Sequence, residues 1–151
     1  MKAWQGEADI MAPIDKVWHI IDGNEETLRK LDPHIISSKT LCKTPEVIGS
    51  KYDQVYRDGN KELHCTVTVI DYDQSDGLIR FTVEFTLGDM YDITEGYELR
   101  QIDENTTHII YRTTNQPIGL KAKMLMKLMK NEGVVEQHIR IIKQLAEAKQ
   151  H

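Results

Sequence analysis

The spacing of hydrophobic residues changes along the chain, and its first part predicts a strand followed by two short helices. A segment of alternating apolar residues, roughly Ala3 to Met11, is typical of a strand. The first helix starts at Pro13, which is tolerated in a first helical turn, and Gly23 ends it. The second helix, Glu25 to Leu31, ends before Asp32-Pro33, because the residue before a proline is pushed out of the helical region.

From Ser37 to about Asn115 the hydrophobic period becomes two, with turn residues between the runs. Strands at this spacing, with no helix between them, predict an antiparallel meander. Gly88-Asp89, flanked by Leu87 and Met90, has the composition of a two-residue hairpin turn with glycine first. The four clearest strands are Leu63 to Tyr72, Leu78 to Leu87, Met90 to Ile102 and Thr107 to Asn115.

After Pro117 the period becomes helical, which predicts helix to the end of the sequence. The apolar arcs before and after Asn131-Glu132-Gly133 differ by roughly 120° when both are laid on one straight helix. We therefore expect a kink near these residues, or two halves that face different surroundings. The predicted fold class is α+β, a curved antiparallel sheet of about six or seven strands wrapped around a long C-terminal helix, with residues 1–151 forming a single domain.

Composition and charge narrow the classes of function. The chain has 151 residues, 40% of them hydrophobic and 28% charged, which is an ordinary balance for one globular domain. The net charge of −5 argues against nucleic-acid binding, because no basic excess is available to neutralise phosphates. No apolar run approaches the ~18 residues that span a bilayer, so stable membrane insertion is not expected.

The two cysteines indicate the compartment of the protein, and three lysines indicate a candidate surface contact. Cys42 and Cys65 stand alone without CxxC spacing, which is typical of free thiols in a reducing compartment, and we therefore expect a cytoplasmic protein. Lys123, Lys127 and Lys130 share one face of the terminal helix. A plain solvated face is the preferred interpretation, and transient contact with an acidic membrane is the alternative.

The hairpin after Leu87 decides which side chains of two strands face the terminal helix. A two-residue turn places Leu87 opposite Met90 and Phe85 opposite Asp92. The sheet face that carries Phe81, Val83 and Phe85 then also carries Asp92. Its carboxylate would be a polar contact for a ligand. A β-bulge at Gly96 would reverse the parity beyond it, and this alternative stays open. The predicted cavity wall from this face consists of Phe81, Val83, Phe85 and Asp92.

Three residues of the terminal helix complete the predicted ligand-binding set. His138 falls within an apolar arc, and it is either a core histidine bonded to a backbone carbonyl or a polar contact for a ligand. Met124 and Leu128 lie in the apolar arc of the first half of the helix. These are mostly core positions, and flexible thioethers such as that of Met124 also suit an adaptable ligand wall.

The sequence contains no complete motif for a metal site or for a hydrolase nucleophile. Asp71, Asp73 and Ser75 imitate the start of a calcium loop, but aspartate stands where that loop needs glycine. His64 and Cys65 are adjacent on a strand, so their side chains point to opposite faces. The sequence has no Gly-rich phosphate loop and no nucleophile elbow. We therefore assign no catalytic residue, no metal and no cofactor.

Short motifs occur in a fixed order along nearly the whole chain, and they are Ala12-Pro13-Ile14-Asp15-Lys16-Val17-Trp18, Leu31-Asp32-Pro33, Val47-Ile48-Gly49-Ser50 and Tyr97-Glu98-Leu99. With them, and with the order of strand, helices, meander and terminal helix, the chain resembles the START-like (SRPBCC) superfamily, nearest to its polyketide cyclase/dehydrase-like and coenzyme Q-binding-like members. The motifs are structural, and none of them carries a catalytic role. Asn105-Thr106-Thr107 departs from the Gly-rich turn of many relatives.

The resemblance implies a helix-grip fold, in which a cavity between the sheet and the C-terminal helix takes an apolar molecule. Some relatives catalyse aromatisation or cyclisation, and others only carry or sense their ligands. We expect binding of a hydrophobic small molecule, such as a lipid, polyketide or isoprenoid, in preference to catalysis. The alternative is a cyclase/dehydratase-type enzyme in which Asp92 or His138 does acid–base work. A third interpretation is a protein-interaction module of the chaperone-activator kind, which needs an exposed apolar patch.

Overall fold

The computed structural model of the chain describes residues 1–23, 25–128 and 133–148, and of Asp58 and Leu128 it describes the backbone alone. Two short helices follow the first strand, a run of strands follows them, and two helices come last. This is the order that the hydrophobic pattern predicts. The elements are β1 (Lys2–Ile10), α1 (Ile14–Ile21), α2 (Glu25–Leu31), β2 (Ile35–Cys42), β3 (Lys51–Asp58), β4 (Lys61–Ser75), β5 (Leu78–Leu87), β6 (Tyr91–Asp103), β7 (Thr106–Pro117), α3 (Gly119–Leu128) and α4 (Val134–Glu147).

The strands form one antiparallel sheet in the order β1-β7-β6-β5-β4-β3-β2. Each pair of neighbouring strands except β1 and β7 is consecutive in the chain, as a meander requires. Extra residues interrupt the pairing at Ile36 and Leu41 of β2, at Ile70 of β4 and at Ile102 of β6. Because a bulged strand bends and twists more strongly than a regular one, these bulges help the sheet to curve.

The core lies between the concave face of this sheet and α4. Alternate residues of β5, from Ile79 to Phe85, are buried, as the period of two predicts. α1 packs against α4 and adds the fully buried Val17 to the core. The buried residues of α4, at helical spacing, are Val135, Ile139, Ile142 and Ala146.

The C-terminal helical region is divided into α3 and α4. Gly133, directly before α4, has a φ of 86°, a left-handed conformation that glycine adopts without steric cost. α4 lies across the sheet in contact with β1 and β7, whereas most residues of α3 are exposed. The two halves therefore do face different surroundings, as one of the two expectations had it. The part of the expected kink that falls on Asn131 and Glu132 lies outside the described residues.

The hairpin between β5 and β6 differs from the prediction by one residue. Leu87 pairs with Tyr91, not with Met90, so the turn has three residues instead of two. Its first residue, Gly88, has a φ of 58°. The pairing continues without a shift past Gly96, so no bulge forms there. A one-residue change in register turns every side chain of β6 to the face opposite the predicted one.

α4 lies against the backbone of β1 at Gly6. A Cβ atom at this position would be 2.6 Å from Cγ1 of Val135 and 3.0 Å from Cδ1 of Ile139. Nonbonded carbon atoms pack at about 3.5–4.0 Å, so a larger residue has to displace the helix or the strand. Glycine at this position therefore sets the distance between α4 and the edge strand.

We expect Gly6→Ala to lower the free energy of unfolding by about 1–3 kcal/mol, the usual cost of overpacking a core. Val135→Ala removes the methyl group that the new Cβ would meet. The double variant should therefore lose less stability than the sum of the two single losses. Urea unfolding of the four proteins measures this coupling. Purely additive losses, or no loss in Gly6→Ala, would contradict the close contact.

Candidate functional site

A cavity of about 730 Å3 lies between the concave face of the sheet, α2 and the first half of α4. This volume is within the range of small-molecule sites, and the wall is largely apolar and aromatic, as such sites usually are. α2 and β2, which are in contact with each other, both contribute lining residues to the cavity. The apolar part of the wall includes Leu28, Leu31, Ile35, Val67, Phe81, Val83, Phe85 and Ile141.

Four polar side chains meet at the sheet side of this cavity. Glu95 and Tyr97 are alternate residues of β6, so both point to the concave face. Tyr111 lies opposite Tyr97 on β7, and its hydroxyl is hydrogen-bonded to the Glu95 carboxylate. His138 of α4 completes the group, with its Nε2 2.8 Å from the Tyr97 hydroxyl. The rings of His138 and Tyr111 are 4.5 Å apart, so the four residues form one contiguous cluster.

Burial makes Glu95 a weaker acid than an ordinary glutamate. The surrounding side chains withhold the water that a carboxylate needs, which raises the pKa of Glu95 to about 7. The hydrogen bond from Tyr111 lowers this pKa and the charge of Asp32 raises it, but both effects are smaller than that of burial. Glu95 can therefore take up or release a proton near neutral pH.

His138 and Tyr97 form a neutral pair. Burial lowers the pKa of His138, and the charge of Asp32 opposes this only in part. The pKa of Tyr97 is raised well above its ordinary value, first by burial and then by the charge of Glu95. At neutral pH the imidazole and the phenol are both uncharged, and the tautomer of the imidazole decides which of them donates the hydrogen bond.

Tyr56 of β3 adds a further polar group to the wall. Its hydroxyl donates to Oε1 of Gln54 at 2.7 Å, and its ring stacks on Phe85 with centroids 6.1 Å apart. Cys65 of β4 is hydrogen-bonded to Tyr56, and burial raises the pKa of its thiol to about 11. The thiol therefore stays protonated at neutral pH, which argues against a nucleophilic role. Cys65 and Cys42 are both free, and Cys42 is exposed.

Exposed lining residues mark the places where the cavity meets solvent. Asp22 follows α1 and Lys43 follows β2, and both side chains are exposed. Although the residue is exposed, partial loss of water around its carboxyl raises the pKa of Asp22, while the charges of Lys43 and His19 oppose the rise. His34, before β2, and Gln137, in the first turn of α4, are also exposed. The cavity therefore reaches solvent beside residues of either charge.

The side chains that the cavity offers to a ligand are carboxyl, phenol, imidazole, amide, hydroxyl and ammonium groups on an apolar wall. Within residues 1–23, 25–128 and 133–148, no group of three or more His, Cys, Asp or Glu side chains is placed to hold a metal ion. Among the described helices, none has the length and apolar character needed to cross a membrane.

Solved structures share this architecture, although no protein-family model matches the chain and no curated protein matches its sequence. A START superfamily protein from Mycobacterium smegmatis superposes with a TM-score of 0.72 at 12% identity, over 96% of this chain and 97% of that one. An aromatase/cyclase from a Streptomyces species gives 0.70 at 11% identity, over 95% and 93%. A norcoclaurine synthase from Thalictrum flavum, in complex with dopamine and hydroxybenzaldehyde, gives 0.62 at 16% identity, over 99% and 89%.

The chain has the START-like, helix-grip fold. The resemblance carried by the sequence motifs is confirmed at this level, as is the α+β class with its antiparallel sheet. At these sequence identities the likeness establishes the fold alone.

The helix-grip cavity contains several of the residues predicted to contact a ligand. His138 lines it from α4, in contact with Tyr97, which places it at the cavity and not in a sealed core. Met124 does not line it, because α3 turns this side chain outward and leaves it 61% exposed. The side chain of Leu128 lies outside the described residues. The predicted residues that line the cavity are Phe81, Val83, Phe85 and His138.

The structure also corrects the prediction for Asp92. This residue lies on the outer face of the sheet, where its carboxylate accepts a hydrogen bond from the Thr86 hydroxyl at 2.6 Å. The three-residue turn is the cause, because it places Glu95 opposite Val83 and brings Ile93, not Asp92, opposite Phe85. The carboxylate expected on the concave face is present, but it belongs to the half-buried Glu95.

Sequence reasoning missed Glu95, Tyr97 and Tyr111 as site residues. A signal for two of them was available in β6 itself. The odd-numbered positions from Tyr91 to Leu99 are mostly aromatic or aliphatic, and the even-numbered ones are polar or glycine. This alternation favours the observed face over the predicted one.

We expect Glu95→Gln to stabilise the protein at neutral and higher pH. The folded-state pKa of about 7 is above the ordinary value of 4.5. The ionised carboxylate therefore costs the wild type stability as pH rises from 4.5 to 7, and the full cost is present above 7. The variant should gain about 1–3 kcal/mol over the wild type near pH 8, and the gain should disappear towards pH 4.5.

Urea unfolding at several pH values measures this difference. Glu84→Gln, which changes an exposed carboxylate on the outer face of β5, is the matched control and should show a flat difference across the same range. A pH-independent effect of Glu95→Gln would mean that Glu95 ionises as freely in the folded protein as in the unfolded chain.

Proposed function

We propose that the protein binds a hydrophobic small molecule in its helix-grip cavity and contacts a polar group of that molecule through Glu95. The supporting observation is a cavity of about 730 Å3 in which an aromatic and apolar wall includes a half-buried carboxylate. A carboxylate in such a wall is costly, so packing alone gives little reason to keep it. Contact with a ligand supplies that reason, and Tyr111 and the Tyr97–His138 pair are close enough to share in it.

The charges along the cavity favour some polar groups of a ligand over others. The described lining residues include four carboxylates but a single lysine, Lys43, which is exposed and interacts with Asp22. Asp32 and Glu95 are close enough for the charge of one to raise the pKa of the other. A fatty acid would bring another negative charge into this wall, which is unfavourable where water is scarce. We therefore propose an apolar ligand with a hydroxyl or an amine, such as an uncharged lipid, polyketide or isoprenoid or an apolar amine.

Three naphthyl compounds that differ in one group test this ligand chemistry. Naphthylethanol, naphthylethylamine and naphthylacetate have similar apolar bodies, and each is to be measured as a competitor of an environment-sensitive dye. We expect naphthylacetate to bind at least about tenfold more weakly than the other two, because it places a like charge near Glu95. The dye itself should bind once per chain.

Glu95→Gln should reduce the disadvantage of naphthylacetate, and Glu84→Gln should leave it unchanged, because Glu84 lies on the outer face of the sheet. Equal binding of all three compounds would remove Glu95 from the proposed contact. A chain that binds neither the dye nor any of the compounds would refute ligand binding in this cavity.

An enzyme of the cyclase/dehydratase type is the second candidate, and the polar cluster favours it. A carrier needs one polar contact in its cavity, whereas Glu95, Tyr111 and the Tyr97–His138 pair converge there. A carboxyl group with a pKa of about 7 can both accept and donate a proton at neutral pH, which general acid–base catalysis requires. In this alternative Glu95 takes the role that the sequence suggested for Asp92.

Native mass spectrometry of protein purified from its own host distinguishes the two candidates. We expect an apolar molecule to co-purify and to be recovered unchanged after incubation with fresh protein, as binding without catalysis requires. Conversion of that molecule by the wild type and by Glu84→Gln, but not by Glu95→Gln, would establish the enzyme instead.

A further inference from the structure

α3 turns its bulky apolar residues away from the rest of the protein. Its buried residues, Ala122 and Met126, are one turn apart on the side that faces the sheet. Leu120 and Met124, also one turn apart, are 75% and 61% exposed and lie on the opposite side of the helix. Polar residues normally occupy the solvent side of a surface helix. We call Leu120 and Met124 the apolar ridge.

Lysines border this ridge on both sides. On a helical wheel Lys121 falls on one side of it and Lys123 and Lys127 on the other, and all three side chains are exposed. α3 has no acidic residue, although the net charge of the chain is −5. The ridge and its lysines therefore form a basic, apolar surface on an acidic protein.

The sheet holds α3 in place near both of its ends. The N–H of Ile118, directly before the helix, donates to the carbonyl of Met90 at 2.7 Å. Lys2 Nζ donates to the carbonyl of Met126, in the last turn, at 3.2 Å. The ridge is therefore presented by a helix that is attached to the rest of the protein near both of its ends.

We propose that α3 docks on an anionic lipid surface, with the apolar ridge in the interfacial region and the three lysines against the headgroups. An apolar face bordered by basic residues is the arrangement that binds such surfaces. A second copy of this chain fits the ridge poorly, because facing α3 helices would bring six lysines together without a carboxylate between them. Val134, the first residue of α4, lines the cavity and follows Lys127 by only a few positions in the sequence, so the proposed lipid contact lies close along the chain to the cavity wall.

Vesicle sedimentation tests the proposal on the full chain. We expect the protein to pellet with vesicles that contain about a third phosphatidylglycerol and to stay in solution with phosphatidylcholine alone, because the lysines need anionic headgroups. Leu120→Gln/Met124→Gln should reduce the partition coefficient by about tenfold. Lys123→Gln/Lys127→Gln should reduce it by about twentyfold, and added salt should weaken the wild type in the same way.

Matched controls remove the same groups elsewhere on the surface. Leu41 is 59% exposed on β2, and Lys39 and Lys51 are exposed on β2 and β3, so Leu41→Gln and Lys39→Gln/Lys51→Gln should bind vesicles as the wild type does. All variants should melt at the wild-type temperature, because the changed side chains are exposed. Equal loss of binding in the controls, or equal pelleting with neutral vesicles, would overturn the proposal.

A protein partner would give a different result. Should sedimentation velocity show a dimer that Leu120→Gln/Met124→Gln converts to a monomer, while vesicle binding is absent, the ridge is a contact between copies of the chain and the proposal is wrong. The experiment measures partition to lipid and needs no cavity ligand. Its outcome therefore tests lipid docking independently of the proposed function.

Discussion

The contact between α4 and β1 determines where the interior of the protein is packed and where it is open. Because Gly6 has no side chain, Val135 and Ile139 rest directly on the edge strand, and the helix is fixed at that side. A different face of the same helix, with His138 and Ile141, lines the cavity over the central strands. One helix therefore supplies both a part of the core and a wall of the cavity, and the two roles separate by helical position alone.

Glu95 brings an ionisable carboxyl group to a position where an apolar side chain would give a more stable fold. Glu95 lies between Val83 and Thr113 on neighbouring strands, and burial disfavours its ionised form. Tyr111 offsets part of this cost by its hydrogen bond. In the proposed function the protein gives up stability at Glu95 for a ligand contact, and the remaining apolar core supplies the difference.

The sequence predicted the helices and strands well and the cavity-lining residues only in part. The turn between β5 and β6 explains much of this difference. The alternation of β5 is unambiguous, because each inward residue from Ile79 to Phe85 is large and apolar, so this wall of the cavity was correctly predicted. The wall from β6 depended on the length of the hairpin loop. Gly88-Asp89 fits loops of two and of three residues, since both residues adopt positive φ. The turn residues alone do not distinguish a two-residue loop from a three-residue loop. The pairing of β5 with β6 along their whole length does.

Met124 shows a second limit of the sequence. A helical wheel correctly groups the residues of α3 by direction, but it does not say whether a given direction meets the sheet or the solvent. That depends on where Gly133 separates the two helices and on how α3 is attached to β7, both of which are tertiary features.

The pairing of β1 with β7 has a consequence for how the chain folds. Lys2 pairs with Asn115 and Ile10 with Thr107, so the edge strand made first in synthesis has no partner until about a hundred residues have followed it. On the ribosome β1 must wait as an unpaired, half-apolar strand, and α4, which covers it, emerges later still. Folding dominated by such distant contacts is slow, and a nascent chain with an open strand edge is exposed to aggregation during that interval.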